Sequence, residues 1–193
     1  MESEGQGRRP PVPVLVDVTP SEIEMCIDFA RQYVKRYQYA GKPGWKGGLV
    51  RSLKLPDGRS LGGDIAGTVV GKVGECAMCR LAGVALDVAF RRGGDGGSDL
   101  PLPCGSVQAK TSKGSYDSRY VRIPAERADW FVFANWSGSD YRVAIDGYLS
   151  RAVVCRSPEV GSSRGLWMNY SVSTSRLHPI RSLLRIKPVS EVV

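Results

Sequence analysis

Residues 95–111 read Asp95-Gly96-Gly97-Ser98-Asp99-Leu100-Pro101-Leu102-Pro103-Cys104-Gly105-Ser106-Val107-Gln108-Ala109-Lys110-Thr111. A glycine-rich loop ends in an acid at the start of one short strand, and a second strand follows the Pro103-Cys104-Gly105 turn. Side chains alternate faces along a strand, so Gln108 and Lys110 point to the same side. Paired as a hairpin, the two strands bring Asp99, Gln108 and Lys110 together at one end. A carboxylate and a carbonyl oxygen can hold a hard cation there, beside an ammonium. That is the minimal equipment for metal-assisted attack on a phosphodiester.

Outward from this hairpin, the chain reads as an α/β domain. Thr19-Pro20-Ser21-Glu22 opens a helix: Thr19 is the N-cap, proline takes the first helical position and Glu22 lies three residues after the cap. Ile23, Cys26, Ile27, Ala30 and Val34 then recur at helical spacing as far as about Tyr37. Residues 41–48 are a glycine-rich loop, and 49–55 a strand leading into the turn Pro56-Asp57-Gly58. A second helix spans 64–81 despite Gly67, Gly71 and Gly74, each costing about 1 kcal/mol relative to alanine. Such glycines suit a helix that packs closely on a sheet or approaches DNA. Strands over 84–90, 99–102, 106–112, 119–123, 130–135 and 141–149 complete one mixed sheet. The run Trp130-Phe131-Val132-Phe133-Ala134 suits a central strand buried on both faces.

Glu75 stands among small and apolar residues in Val73-Gly74-Glu75-Cys76-Ala77. An acid in such a setting either faces solvent or is buried and held by a metal or a base, because burial of an unpaired carboxylate is expensive. With Gly74-Glu75 on a helix, Asp99 at a strand start and Gln108-Ala109-Lys110 on the next strand, the chain resembles the PD-(D/E)XK nuclease superfamily over residues 62–150. The glycine-rich loop and the glutamine in place of the usual acid look most like its Mrr-type restriction endonuclease branch. The run Ala128-Asp129-Trp130-Phe131-Val132-Phe133-Ala134 is similar to the following core strand of small phage and plasmid members. The resemblance implies a restriction-endonuclease-like fold, a mixed β-sheet core flanked by helices. It also implies a Mg²⁺-dependent DNA endonuclease, with Mn²⁺ as a substitute, leaving 5′-phosphate and 3′-hydroxyl ends. Glu75, Asp99 and the Gln108 oxygen would then be the metal ligands, and Lys110 the group that orients water and stabilises developing charge. Glutamine supplies no charge where the family commonly has an acid, which leaves Asp99 and Glu75 as the anionic ligands. Many members act as homodimers, a state for which no motif is visible here.

Composition agrees with a polyanionic partner. The chain has 193 residues, 42% hydrophobic and 24% charged, with a net charge of +8. Over residues 31–60 the basic side chains, Arg36, Lys46 and Lys54 among them, face Asp57 as the one acid. A second basic segment, 151–193, carries Arg181 and Arg185. Aromatics interleave both segments, which are expected to bind DNA in a salt-sensitive way. The bland alternative is a solvated surface. One histidine, His178, excludes multi-histidine zinc and HNH-type centres, and reads as a structural or surface residue. Cys76-x-x-Cys79 lies within a helix without a second cysteine pair, a poor metal signal. Five scattered cysteines suit a reducing compartment. No apolar run spans a bilayer and no signal-peptide core opens the chain, so the expected location is cytoplasmic. The chain divides into a disordered tail (1–13), an N-terminal helix with a basic hairpin (14–61), the nuclease-like core (62–150) and a basic C-terminal extension (151–193). Two further readings stand beside the nuclease: a catalytically inactive nucleic-acid-binding module on the same fold, and an assembly protein with an acidic partner.

Overall fold

Strand β1 (Val14–Asp17) leads into helix α1 (Pro20–Tyr39) through the cap the sequence predicts. The Thr19 N–H donates to Glu22 Oε2 at 2.6 Å, and the Glu22 N–H donates to Thr19 Oγ1 at 3.2 Å. Two backbone donors at the helix start are thereby satisfied reciprocally. The structure, a computed structural model, describes residues 9–39, 52–88, 99–114, 117–123, 128–161 and 168–185.

The hairpin β2 (Ser52–Lys54) and β3 (Ser60–Gly62) follows, then helix α2 (Gly63–Ala82). Gly83, at φ 70°, ends α2 in the left-handed conformation, and the Val84 N–H turns back to the Cys79 carbonyl at 2.9 Å. The strand expected over 84–90 does not form across 84–88, and residues 89–90 lie outside the described residues. Val84 and Leu86 spend their alternation on packing against the core instead. Strand β4 (Leu100–Leu102) pairs antiparallel with β5 (Gly105–Ser112).

Strands β6 (Ser118–Ile123), β7 (Trp130–Asn135) and β8 (Arg142–Ser150) come next, followed by the single turn α3 (Arg151–Val154). Strands β9 (Glu159–Gly161) and β10 (Met168–Ser173) and the turn α4 (Ile180–Leu183) complete the described elements. The central sheet has the order β1-β8-β7-β5-β4. It is mixed, since β5 and β7 run parallel while the other pairs are antiparallel. Strand β6 does not join it. It pairs with β10, which also pairs with β9, in a separate three-stranded sheet. The architecture is thus mixed α/β, with four helices, two of them single turns, among the described residues.

Two cores lie on the two faces of the central sheet. On one face, Val107, Val132, Ala134, Val143 and Ile145 pack with α1, α2 and α4. On the other, Phe131, Phe133 and Leu149 pack with Val121 and Val172 of the small sheet and Val154 of α3. Strand β7 feeds both cores from alternate positions, as its unbroken apolar run predicts. Gly74 explains one of the helical glycines: a Cβ there would collide with the Thr111 side chain of β5. No helix among the described residues is long and apolar enough to cross a membrane.

Candidate functional site

The β4–β5 register sets Leu100 against Val107, and the Asp99 N–H donates to the Val107 carbonyl at 2.9 Å. Asp99 therefore stands beside Gln108 at the open end of the hairpin. Its Oδ2 accepts from the Ala109 N–H and from Gln108 Nε2, both at 2.7 Å. Gln108 is buried, and its Oε1 has no hydrogen-bond partner. Two acceptors cannot face each other at such a separation, so the amide must present its NH₂ to Asp99 and leave the oxygen without a donor.

Alternation places Lys110 on the same strand face as Gln108. The parallel register confirms which face this is: Gln108 pairs with Phe131 and Lys110 with Phe133, both in the core beneath the small sheet. Ser112 continues the row. Its hydroxyl donates to Asn135 Oδ1 at 3.0 Å, and Asn135 Nδ2 lies 2.7 Å from each carboxylate oxygen of Asp146. Asp146 reaches this row where the β7–β8 register shifts between Phe133 and Ala134. One sheet face thus carries the polar line Asp99, Gln108, Lys110, Ser112, Asn135, Asp146. Ser112 was legible as the next even position. Asp146 was not, because an irregularity in pairing has no sequence signature here.

Glu75 belongs to a different layer. It sits on α2, which covers the face of β5 carrying Val107 and Thr111, the face opposite Gln108 and Lys110. Its carboxylate accepts from Lys72 Nζ at 2.6 Å, and the same ammonium lies 4.5 Å from the centre of the Phe29 ring. Of the sequence alternatives for Glu75, a base as partner is what the geometry contains. Lys72, three residues earlier on one helix face, was the signal for it. Burial first, then Cys76 and the charges of Glu75 and Asp99, push the Cys79 thiol up to about 12. Cys26 and Cys76 hydrogen-bond between α1 and α2, and this contact raises the Cys26 pKa and lowers that of Cys76. All five cysteines are free thiols.

Among the basic candidates, Arg36 lies in the last turn of α1, Lys54 lies on β2, Arg181 is on α4 and Arg185 just follows it; all four are exposed. Their elements share the core of α2. Lys46 lies outside the described residues. On the other layer, Arg151 and Arg156 are exposed on and just after α3, a segment that packs beneath the sheet face of Lys110. His178 makes backbone bonds to Tyr148 in both directions, at 2.9 and 3.0 Å, and its ring packs on the Tyr148 ring, a structural role as expected.

No family model, no curated protein and no solved structure matches the chain.

The donor set has one property that bears on a cation. A carboxylate and a buried amide stand side by side, the NH₂ of the amide toward the carboxylate and its oxygen turned away without a partner; both residues carry oxygens of the kind hard divalent cations take. Among the described residues no group of three or more His, Cys, Asp and Glu side chains is arranged to hold a metal. A hard cation placed here would meet few protein charges, a setting in which Mg²⁺ commonly keeps several waters.

Proposed function

We propose that the chain is a Mg²⁺-dependent DNA nuclease of the PD-(D/E)XK type on a restriction-endonuclease-like fold. The observation that carries this reading is the meeting of Asp99 and Gln108 at the hairpin end, with Lys110 two residues on along the same strand face. Asp99 and the Gln108 oxygen would hold the cation, while the Glu75 charge on α2 is met by Lys72. A bound divalent cation supplies Lewis acidity and a more acidic water. Lys110 presents an ammonium to the scissile phosphate, where it orients the attacking water and stabilises charge that grows in the transition state. The exposed basic side chains supply the salt-sensitive, sequence-independent part of binding.

The test is cleavage of supercoiled, linear and single-stranded DNA with Mg²⁺ or Mn²⁺. The expected outcome is cleavage by the wild type and a loss of about 10²–10³-fold in Lys110→Ala, the range for removal of one transition-state donor.

A second reading, a non-catalytic nucleic-acid-binding module, is favoured by the Lys72–Glu75 pair, which already supplies Glu75 with a counter-charge. It predicts salt-dependent DNA binding and no cleavage of any DNA form, in the wild type or in Gln108→Glu.

A further inference from the structure

Gln108 Oε1 is the feature that the fold leaves unexplained. Burying an acceptor without a donor is costly, and native proteins keep few such atoms. This one lies on a residue whose other terminal atom makes a 2.7 Å hydrogen bond to a carboxylate. Asp99 Oδ2 is held by two donors of different character. The Ala109 N–H is fixed within strand β5. The Gln108 NH₂ ends a terminal torsion whose energy wells are broad and close to two-fold, so turning it over costs little in the torsion itself.

We propose that the Gln108 amide is a two-position latch on Asp99, an inference that rests on the cation-binding reading above. With NH₂ toward Asp99 the latch is closed: two donors satisfy the carboxylate oxygen and the site stands stable without a metal. When a divalent cation arrives beside Asp99, the amide turns over, withdraws its donor and delivers Oε1 to the ion. The orphaned oxygen then acquires its partner, while the NH₂ gives up the carboxylate and takes the oxygen's former place, a cost that the metal–oxygen bond must offset.

The latch gives a reason for glutamine at this position. A glutamate could only repel Asp99 without a cation, since like carboxylates in contact resist joint ionisation. Glutamine supplies a metal-free resting state at the cost of one ligand charge. The site should therefore respond to cation concentration as a switch and not remain permanently loaded.

The experiment needs no DNA and no cleavage. The full chain, ¹⁵N-labelled, is titrated with MgCl₂ while the Gln108 side-chain NH₂ and the Ala109 backbone N–H are followed by NMR. The Gln108 signal is identified by its loss in Gln108→Met. The expected result is that both signals shift with one midpoint, the NH₂ pair moving away from its carboxylate-bonded position. A shifted Ala109 signal with an unmoved Gln108 NH₂ would overturn the latch and leave the cation site standing. No response at either group at millimolar Mg²⁺ would overturn the cation site and the latch together.

Discussion

Lys72 Nζ lies 2.6 Å from Glu75 Oε2, one helical turn along α2, with the ammonium against the face of Phe29. The pair is largely withdrawn from solvent, with side-chain exposures of 10% and 19%. Removing one partner leaves the other largely buried and uncompensated. Glu75→Gln is expected to lower unfolding free energy by about 1–3 kcal/mol. The double variant Lys72→Met, Glu75→Leu should recover most of that loss. Urea denaturation of the three variants measures both effects, and a stable Glu75→Gln would show that the pair contributes little.

Gly74 packs against Thr111 where α2 meets β5. Alanine is the better helix former by about 1 kcal/mol, yet its methyl would meet the Thr111 branches. Gly74→Ala should therefore destabilise, by about 1–3 kcal/mol of overpacking. Adding Thr111→Ala should restore part of the loss, because it removes the branches and a hydroxyl that is buried without a partner. Thermal melts of the single and double variants decide it.

At the start of α1, burial opposes ionisation of Glu22, but hydrogen bonds from the Thr19 backbone and hydroxyl, together with Arg80, hold its carboxyl below the usual value of 4.5. A depressed folded-state pKa stabilises above the unfolded value, and that contribution is lost as pH falls through the folded one. Stability of the wild type should thus fall on acidification below about 4.5 more steeply than that of Glu22→Gln. Thr19→Ala should cost about 1 kcal/mol at neutral pH, the usual value of an N-cap. Urea midpoints across pH 3–7 test both, within the titration range of ordinary carboxylates.

Charge reversal at Arg36, Lys54, Arg181 or Arg185 should weaken DNA binding and reduce the slope of log K against log salt by about one per contacting residue. The same change at Arg151 or Arg156 tests whether DNA lies along the layer beneath Lys110. The expected outcome there is a reduced slope accompanied by slower cleavage. Unchanged slopes throughout would assign these charges to a solvated surface.

Gln108→Glu should bind Mg²⁺ more tightly than the wild type, since it adds a ligand charge. Without metal it should unfold more easily, because its carboxylate then faces Asp99. Calorimetric titration and melts with and without MgCl₂ measure the two effects, which must have opposite signs.

Local physics made much of this protein readable in one dimension. The Thr19–Glu22 cap, the helical spacing from Ile23 to Val34 and the 108–110 alternation depend on bonds and rotations within a few residues. They hold in the folded chain as the sequence predicts. So does the apolar run of β7, whose alternate positions serve two cores. What only the tertiary structure decided are pairings between distant segments. Val84–Val88 had the alternation of a strand but packs against the core as irregular chain, and β6 left the central sheet to pair with β10. The parallel match of β5 with β7 determined which core lies beneath Gln108 and Lys110, and the register shift in β7–β8 brought Asp146 into their row. The same layering set Glu75 on the opposite face, with Lys72 as its partner. Strand pairing is selected by the burial of whole faces, a sum over many remote residues, so no single stretch of sequence carries it.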